Sequence, residues 1–365
     1  MSSNRGGRGG RGRGPPPHMY YRYLNKEYLN VAEYLDSLPD NIHEICLTNK
    51  NLTYFPDLSR FTKLKRLYCE NNNFTQLSEL PNSLKILRCE ENQLISLPKL
   101  SESLIELHCW RNKLAYLPEL PNGLKELHCH SNELTSLPEL PNSLEMLDCH
   151  YNELTYLPKI NDKLKKLGCI VNKLTSLPEL PNSLEMLDCG SNELASLPEL
   201  PNSLEKLDCR YNQLTYLPKI NKKIKIINCD GNKLTHLPHL NETITYLSCE
   251  NNELRYLPEL NNKLDCVKIS KNPICHILYS SIITPEEDED DGIDFLNINI
   301  IKSKFKILHN FRCLYYSLKF KSKFRDWLWI RVREKRIKQD FHPSKIFKLL
   351  KDDDADDIDG EILHI

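Results

Sequence analysis

Leu144–Lys163 reads LEMLDCHYNELTYLPKINDK. The same twenty-residue pattern, L-x-x-L-x-C-x-x-N-x-L-x-x-L-P-x-L-P-x-S, recurs in strict register on both sides of it. A Leu or Ile opens each unit at 42, 64, 84, 104, 124, 144, 164, 184, 204, 224, 244 and 264, which makes twelve units. The first is two residues longer than the others. The last is truncated after Asn272 and carries Ile269 where the others carry cysteine. A fixed period of this length means stacked units that share one elongated core. The 365 residues therefore do not count out as two or three globular domains.

Each fixed letter has a physical reason. Leu147 and Cys149 are two apart and point to one face of a short strand. Position nine is Asn at 72, 92, 112, 132, 152, 172, 192, 212, 232, 252 and 272, with Lys50 breaking the series in the first unit. An amide both donates and accepts, so stacked copies predict a hydrogen-bonded ladder where the chain leaves the sheet. Leu154 and Leu157 fill the middle of the coil. Pro158 and its counterparts forbid a regular helix on the return side.

In these motifs the chain resembles the leucine-rich repeat proteins, and its L-P-x-L-P-x-S ending is similar to the LPX class of bacterial effectors. The resemblance covers residues 42–277. It implies a leucine-rich repeat solenoid with short parallel strands on the concave face, an extended or polyproline-like convex side, and small helical caps at both ends. LPX effectors often end in a ubiquitin ligase domain whose catalytic cysteine lies in a C-x-D motif. Cys313, the one cysteine after the repeats, is followed by Leu314 and Tyr315, and no C-x-D occurs anywhere in the chain. The reading is therefore a non-enzymatic one. The Asn-, Ile-, Lys- and Tyr-rich style, and the ending RIKQDFHPSKIFKLLKD, also resemble proteins of giant DNA viruses of amoebae.

The chain carries fourteen cysteines and a net charge of −1. Ten cysteines recur every twenty residues from Cys69 to Cys249, which marks a packing position and not a disulfide framework. A reducing intracellular compartment follows, the cytoplasm of a host cell included. No apolar run reaches the roughly eighteen residues of a membrane span. Residues 1–17 lack the apolar stretch of a classical secretory signal.

The segments divide as follows. Residues 1–18 form an Arg/Gly-rich arm expected to be disordered. Residues 19–41 form an N-terminal helical cap, with Tyr20, Tyr23, Leu24, Tyr28, Val31 and Leu35 at helical spacing. After the repeats, 278–301 is an acidic linker, 302–351 a basic, aromatic helical module, and 352–365 an acidic tail. Arg5, Arg8, Arg11 and Arg13, with Lys321, Lys323, Arg325, Arg331 and Arg333, carry an alternative reading, an RNA- or DNA-associated protein.

The main expectation is a protein ligand on the concave face, lined by positions three, five, seven and eight. There His108, Trp110, Arg111, His128, His130, Met146, His150, Tyr151, Ile170 and Val171 form one neighbourhood. Trp, Tyr and Arg are enriched at interface hot spots, and the Ile170–Val171 pair puts apolar groups in columns read as exposed. His108, His128 and Asp148 share a column at successive steps. A flat sheet rarely converges three ligands, so neither a metal nor a cofactor is expected.

Overall fold

In the computed structural model of the chain, residues 31–275 and Lys321 are described. Twelve three-residue strands form one parallel sheet in chain order: β1 (Glu44–Cys46), β2 (Arg66–Tyr68), β3 (Ile86–Arg88), β4 (Glu106–His108), β5 (Glu126–His128), β6 (Met146–Asp148), β7 (Lys166–Gly168), β8 (Met186–Asp188), β9 (Lys206–Asp208), β10 (Ile226–Asn228), β11 (Tyr246–Ser248) and β12 (Cys266–Lys268). The strand takes positions three to five of each unit. Register follows the period: Met146, Leu147 and Asp148 pair with Lys166, Leu167 and Gly168. Only β1 and β2 are offset by 22, with Glu44 opposite Arg66, which absorbs the two extra residues of the first unit. Hydrogen bonding runs past the strands, for Cys149 N–H donates to Gly168 O at 2.8 Å and Tyr151 N–H to Ile170 O at 2.8 Å.

The middle residue of each strand points inward, and so does the cysteine two places on. Leu144, Leu147, Cys149, Leu154, Leu157 and Ile160 form one buried layer, repeated from turn to turn. Fully burying such a side chain is worth about 1.5–3 kcal/mol, which is why one unit alone cannot fold and a stack can. The repeat cysteines are fully buried, and the thirteen described cysteines are free thiols. Several thiols donate to the next turn, as Cys149 Sγ does to Gly168 O at 3.3 Å.

The asparagine ladder is present. Asn152 Nδ2 donates to Cys149 O, to Cys129 O of the preceding turn, and to His150 O, while its Oδ1 accepts from Leu134 N–H at 3.0 Å. The pattern is copied from Asn72 to Asn272. Past each strand, position eight lies in the left-handed region: Arg111, Tyr151, Val171 and Lys271 have φ of 51°, 52°, 54° and 53°, and only Asn71, Asn251 and Gly231 are residue types suited to it. Position eight is therefore a turn position just beyond the sheet, not a fourth strand column. No helix appears on the return side among the described residues of the complete units.

At the N-terminal end, α1 (Val31–Asp36) buries Leu35. Arg60 closes its C-terminal end by donating to Leu35 O and pairing with Asp40 at 2.9 Å, a cation where the helix dipole favours one. The rest of the expected cap, residues 19–30, lies outside the described residues. At the other end residues 273–275 take a helical turn that begins with Pro273. The chain divides into two compact units, 1–298 and 299–365. In the second, the described residue is Lys321, helical and exposed.

Candidate functional site

Side chains at positions three, five and seven stand in rows along the sheet, one strand spacing apart. That spacing lets flat rings stack. His108 of β4 lies on His128 of β5 with centroids 4.4 Å apart and planes at 16°. One row over, Trp110 lies on His130 at 4.9 Å and 12°, and the Arg111 guanidinium sits 5.3 Å from the Trp110 ring centre. Arg111 is also paired with Glu91 at 2.7 Å, so its head is held beside the indole.

The row continues through an acid. Asp148 of β6 stands between two imidazoles, with Oδ2 3.7 Å from His128 Nδ1 and Oδ1 3.3 Å from His150 Nε2. Ile170 N–H donates to His150 Nδ1 at 2.8 Å. That bond makes Nδ1 an acceptor, puts the neutral ring's proton on Nε2, and aims it at Asp148. The ring can lie there because the next residue in the row is Gly168: a Cβ at that position would stand 2.5 Å from His150 Cε1 and Nε2.

Burial governs the protonation states. Burial first, then the charges of His128, Arg88 and His130, pushes the His108 imidazole down to about 3, so it is neutral at ordinary pH. Burial also lowers His130. Burial alone would raise the Asp148 carboxyl, but the His128 contact and then the His150 and His130 imidazoles hold it below the ordinary value. Nearer the start of the sheet, burial and then Glu70 drive Glu90 up to about 7, against a backbone hydrogen bond that lowers it. Glu70 Oε2, Arg88 Nε, Glu90 Oε2 and His108 Nε2 are buried without hydrogen-bond partners.

Sequence position placed the ten proposed residues in one area, and the structure separates them into layers. His108, His128 and Met146 lie on strands; Trp110, His130, His150 and Ile170 follow at position seven; Arg111, Tyr151 and Val171 occupy the left-handed turn. Exposure differs from the expectation. The rings and Ile170 are half-buried because each covers its neighbour, while Tyr151 and Val171 are 57% and 36% exposed. The apolar pair is thus one exposed valine beside a half-buried isoleucine. Sequence reasoning passed over Glu106 and Glu126 at position three, and the exposed tyrosines at position thirteen, Tyr116, Tyr156, Tyr216 and Tyr256. Reading those two columns down the stack would have found both sets.

A groove of about 1110 Å³ follows the proline edge, between Lys99 and Asp162. Prolines, asparagines, the Leu100–Leu120–Leu140–Ile160 column and solvent-facing charged residues line it, and it shares no residue with the histidine rows. Of the alternative nucleic-acid residues, Arg5, Arg8, Arg11, Arg13, Lys323, Arg325, Arg331 and Arg333 lie outside the described residues. Among the described residues, no helix is long and apolar enough to cross a membrane.

No family model matches the chain, and no curated protein matches it by sequence. Solved structures do. A chain from an octameric complex of Latrophilin 3, Unc5D and the leucine-rich repeats of FLRT2 superposes with a TM-score of 0.53 at 20% identity, covering 63% of this chain and 82% of that one. The leucine-rich repeat domain of APL1B superposes at 0.50 and 18% identity, over 74% and 95%. YopM from Yersinia enterocolitica WA-314 matches at 28% identity and a TM-score of 0.46, over 64% of this chain and 61% of its own length. The first two likenesses bear on the fold.

Proposed function

We propose that this chain, a leucine-rich repeat solenoid in fold, is a non-catalytic scaffold whose sheet face binds a protein ligand. One observation carries the reading. On successive turns Trp110 stacks on His130, Arg111 is pinned beside the indole, and Tyr151 and Val171 stand exposed at the rim. Pre-ordered aromatic and arginine side chains lose little entropy on contact, which is what hot-spot residues need. Val171 adds support, because a β-branched residue at φ 54° costs about 1–3 kcal/mol that Asn or Gly would largely avoid. A fold selected for stability alone has no use for that cost.

Catalysis has little to work with in the repeats. The described thiols of the ladder are buried and raised by that burial, so none is a ready nucleophile. The neighbour complex named for FLRT2 is one in which leucine-rich repeats assemble with other proteins, and we carry that mode of use to this chain. Free cysteines in such number suit a reducing, intracellular setting. Residues 1–18, 278–301, 302–351 and 352–365 are then appendages to the 42–277 platform.

The test is a pull-down from nuclease-treated lysate with the full chain and a Trp110→Ala, Tyr151→Ala double variant. A nuclease-resistant partner lost in the variant supports the platform. Recovery that vanishes with nuclease, with the variant behaving like wild type, rejects it.

A further inference from the structure

We propose that His108, Glu126 and His128 form a binding site for a divalent transition-metal ion of the zinc class. Two adjacent strands contribute a two-by-two grid: Glu106 and His108 from β4, Glu126 and His128 from β5, in register as Glu106–Glu126 and His108–His128. Positions three and five of a strand share a face, so all four side chains stand on the same side of the sheet. Among the described residues, His108, Glu126 and His128 bring one ligating atom each within 4.8 Å of one another.

The donor set suits the ion. Two imidazole nitrogens and a carboxylate oxygen, with a fourth place left open, are a recurrent zinc environment. Tetrahedral zinc with bonds of about 2.0–2.1 Å separates its donors by about 3.3 Å. Closing the site therefore asks about an ångström of movement per side chain, which rotation of half-buried His and Glu side chains supplies. The rings are stacked with planes 16° apart, so each must tilt for the two in-plane lone pairs to meet at one ion.

The atoms around the three ligands are arranged for the task. His128 Nε2 lies 3.8 Å from Glu126 Oε2, while its Nδ1 lies 3.7 Å from Asp148 Oδ2. With an ion on Nε2, the proton on Nδ1 would face Asp148, an acid placed where a metal-binding histidine usually finds its support. Asp148 is itself oriented by His150, whose ring is fixed by Ile170 N–H. His108 Nε2 is buried with no hydrogen-bond partner, a cost that a metal bond would remove. Arg88 is the neighbouring cation, and Glu106, Glu126 and Asp148 outnumber it. The proposal stands whether or not the sheet face binds a protein.

The test uses untagged full-length protein stripped with a chelator and titrated with zinc chloride by calorimetry, then with cobalt(II) by absorption. One equivalent should bind at micromolar strength or tighter. His108→Gln, Glu126→Gln and His128→Gln should each weaken binding by about 100-fold or more, and Asp148→Asn by about tenfold, as loss of a supporting partner does. His236→Gln, an exposed histidine at position thirteen, should leave it unchanged. The cobalt spectrum should be tetrahedral without a thiolate charge-transfer band. Circular dichroism of each variant checks that the fold is retained. Three results would overturn the site: no saturable single equivalent, binding that survives His128→Gln and Glu126→Gln, or a thiolate band, which would place the ion on the cysteines.

Discussion

Replacing Asn152 separates the ladder's geometry from simple burial. In Asn152→Ala, Leu134 N–H loses its acceptor, Oδ1 at 3.0 Å, and no other partner is in place for it. The carbonyls fare better. Cys129 O keeps the amide of Asn132, Cys149 O keeps that of Asn172, and His150 O keeps Ser131 N–H. A stranded buried N–H costs about 1–3 kcal/mol, and loss of the two amide hydrogens shared among three carbonyls adds about 2 kcal/mol, so the change should cost about 3–5 kcal/mol. Asn152→Asp is nearly the same shape and still accepts from Leu134. It nevertheless sets an oxygen against three carbonyl oxygens now 3.1, 3.2 and 3.1 Å from Nδ2. It should therefore lose more stability than the alanine variant, with part of the loss recovered on acidification as the carboxyl protonates. Urea unfolding followed by circular dichroism, with amide exchange read at Leu134, measures both. An aspartate variant as stable as the alanine variant, or an alanine variant within about 0.5 kcal/mol of wild type, would refute the account of the ladder.

Three further outcomes are expected. Val171→Asn relieves the β-branched residue held at φ 54° and should stabilise by about 1 kcal/mol, raising Tm by about 2–4 °C; an unchanged or lower melt contradicts this. Glu90 is raised to about 7 in the folded state, so its neutral form contributes stability that is full below its ordinary value of 4.5 and lost as pH rises through about 7. The stability of Glu90→Gln relative to wild type should accordingly grow between about pH 4.5 and about pH 8 in thermal melts, and a constant difference would be the wrong result. Gly168→Ala places a methyl 2.5 Å from the His150 ring and should cost about 1–3 kcal/mol while freeing His150 Nδ1 from Ile170 N–H; unaltered His150 nitrogen shifts in NMR would count against it.

The fold was legible because a strict period leaves little else to decide. Leu147, Cys149 and Asn152 each recur twenty residues on, so strand, core and ladder could be assigned from spacing alone, and the register of β6 on β7 followed. The turn at position eight was hidden, since Asn71, Glu91, Arg111 and Val171 share no chemistry and glycine appears there only at 231. Backbone geometry set by the hydrogen bonds on either side overrides what those residues prefer. At the site, the same arithmetic placed Trp110 beside His130 and His108 beside His128. It did not show that stacking would half-bury those rings, nor that Asp148 would hold two of them. Those facts depend on side-chain rotation, which Gly168 permits and a pattern of letters does not display.

The most direct measurement is the affinity of the captured protein ligand for three forms of the chain: wild type, Trp110→Ala with Tyr151→Ala, and Tyr116→Ala with Tyr156→Ala. Tyr116 and Tyr156 are as exposed as Tyr151, at 58% and 55% against 57%, but sit at position thirteen, five residues further round the coil than the position-eight rim. The account predicts a loss of about 100-fold or more in the first pair, as expected of hot-spot removal at about 1.4 kcal/mol per tenfold, and no loss in the second. Binding that survives the first change, or falls equally with both, would contradict it.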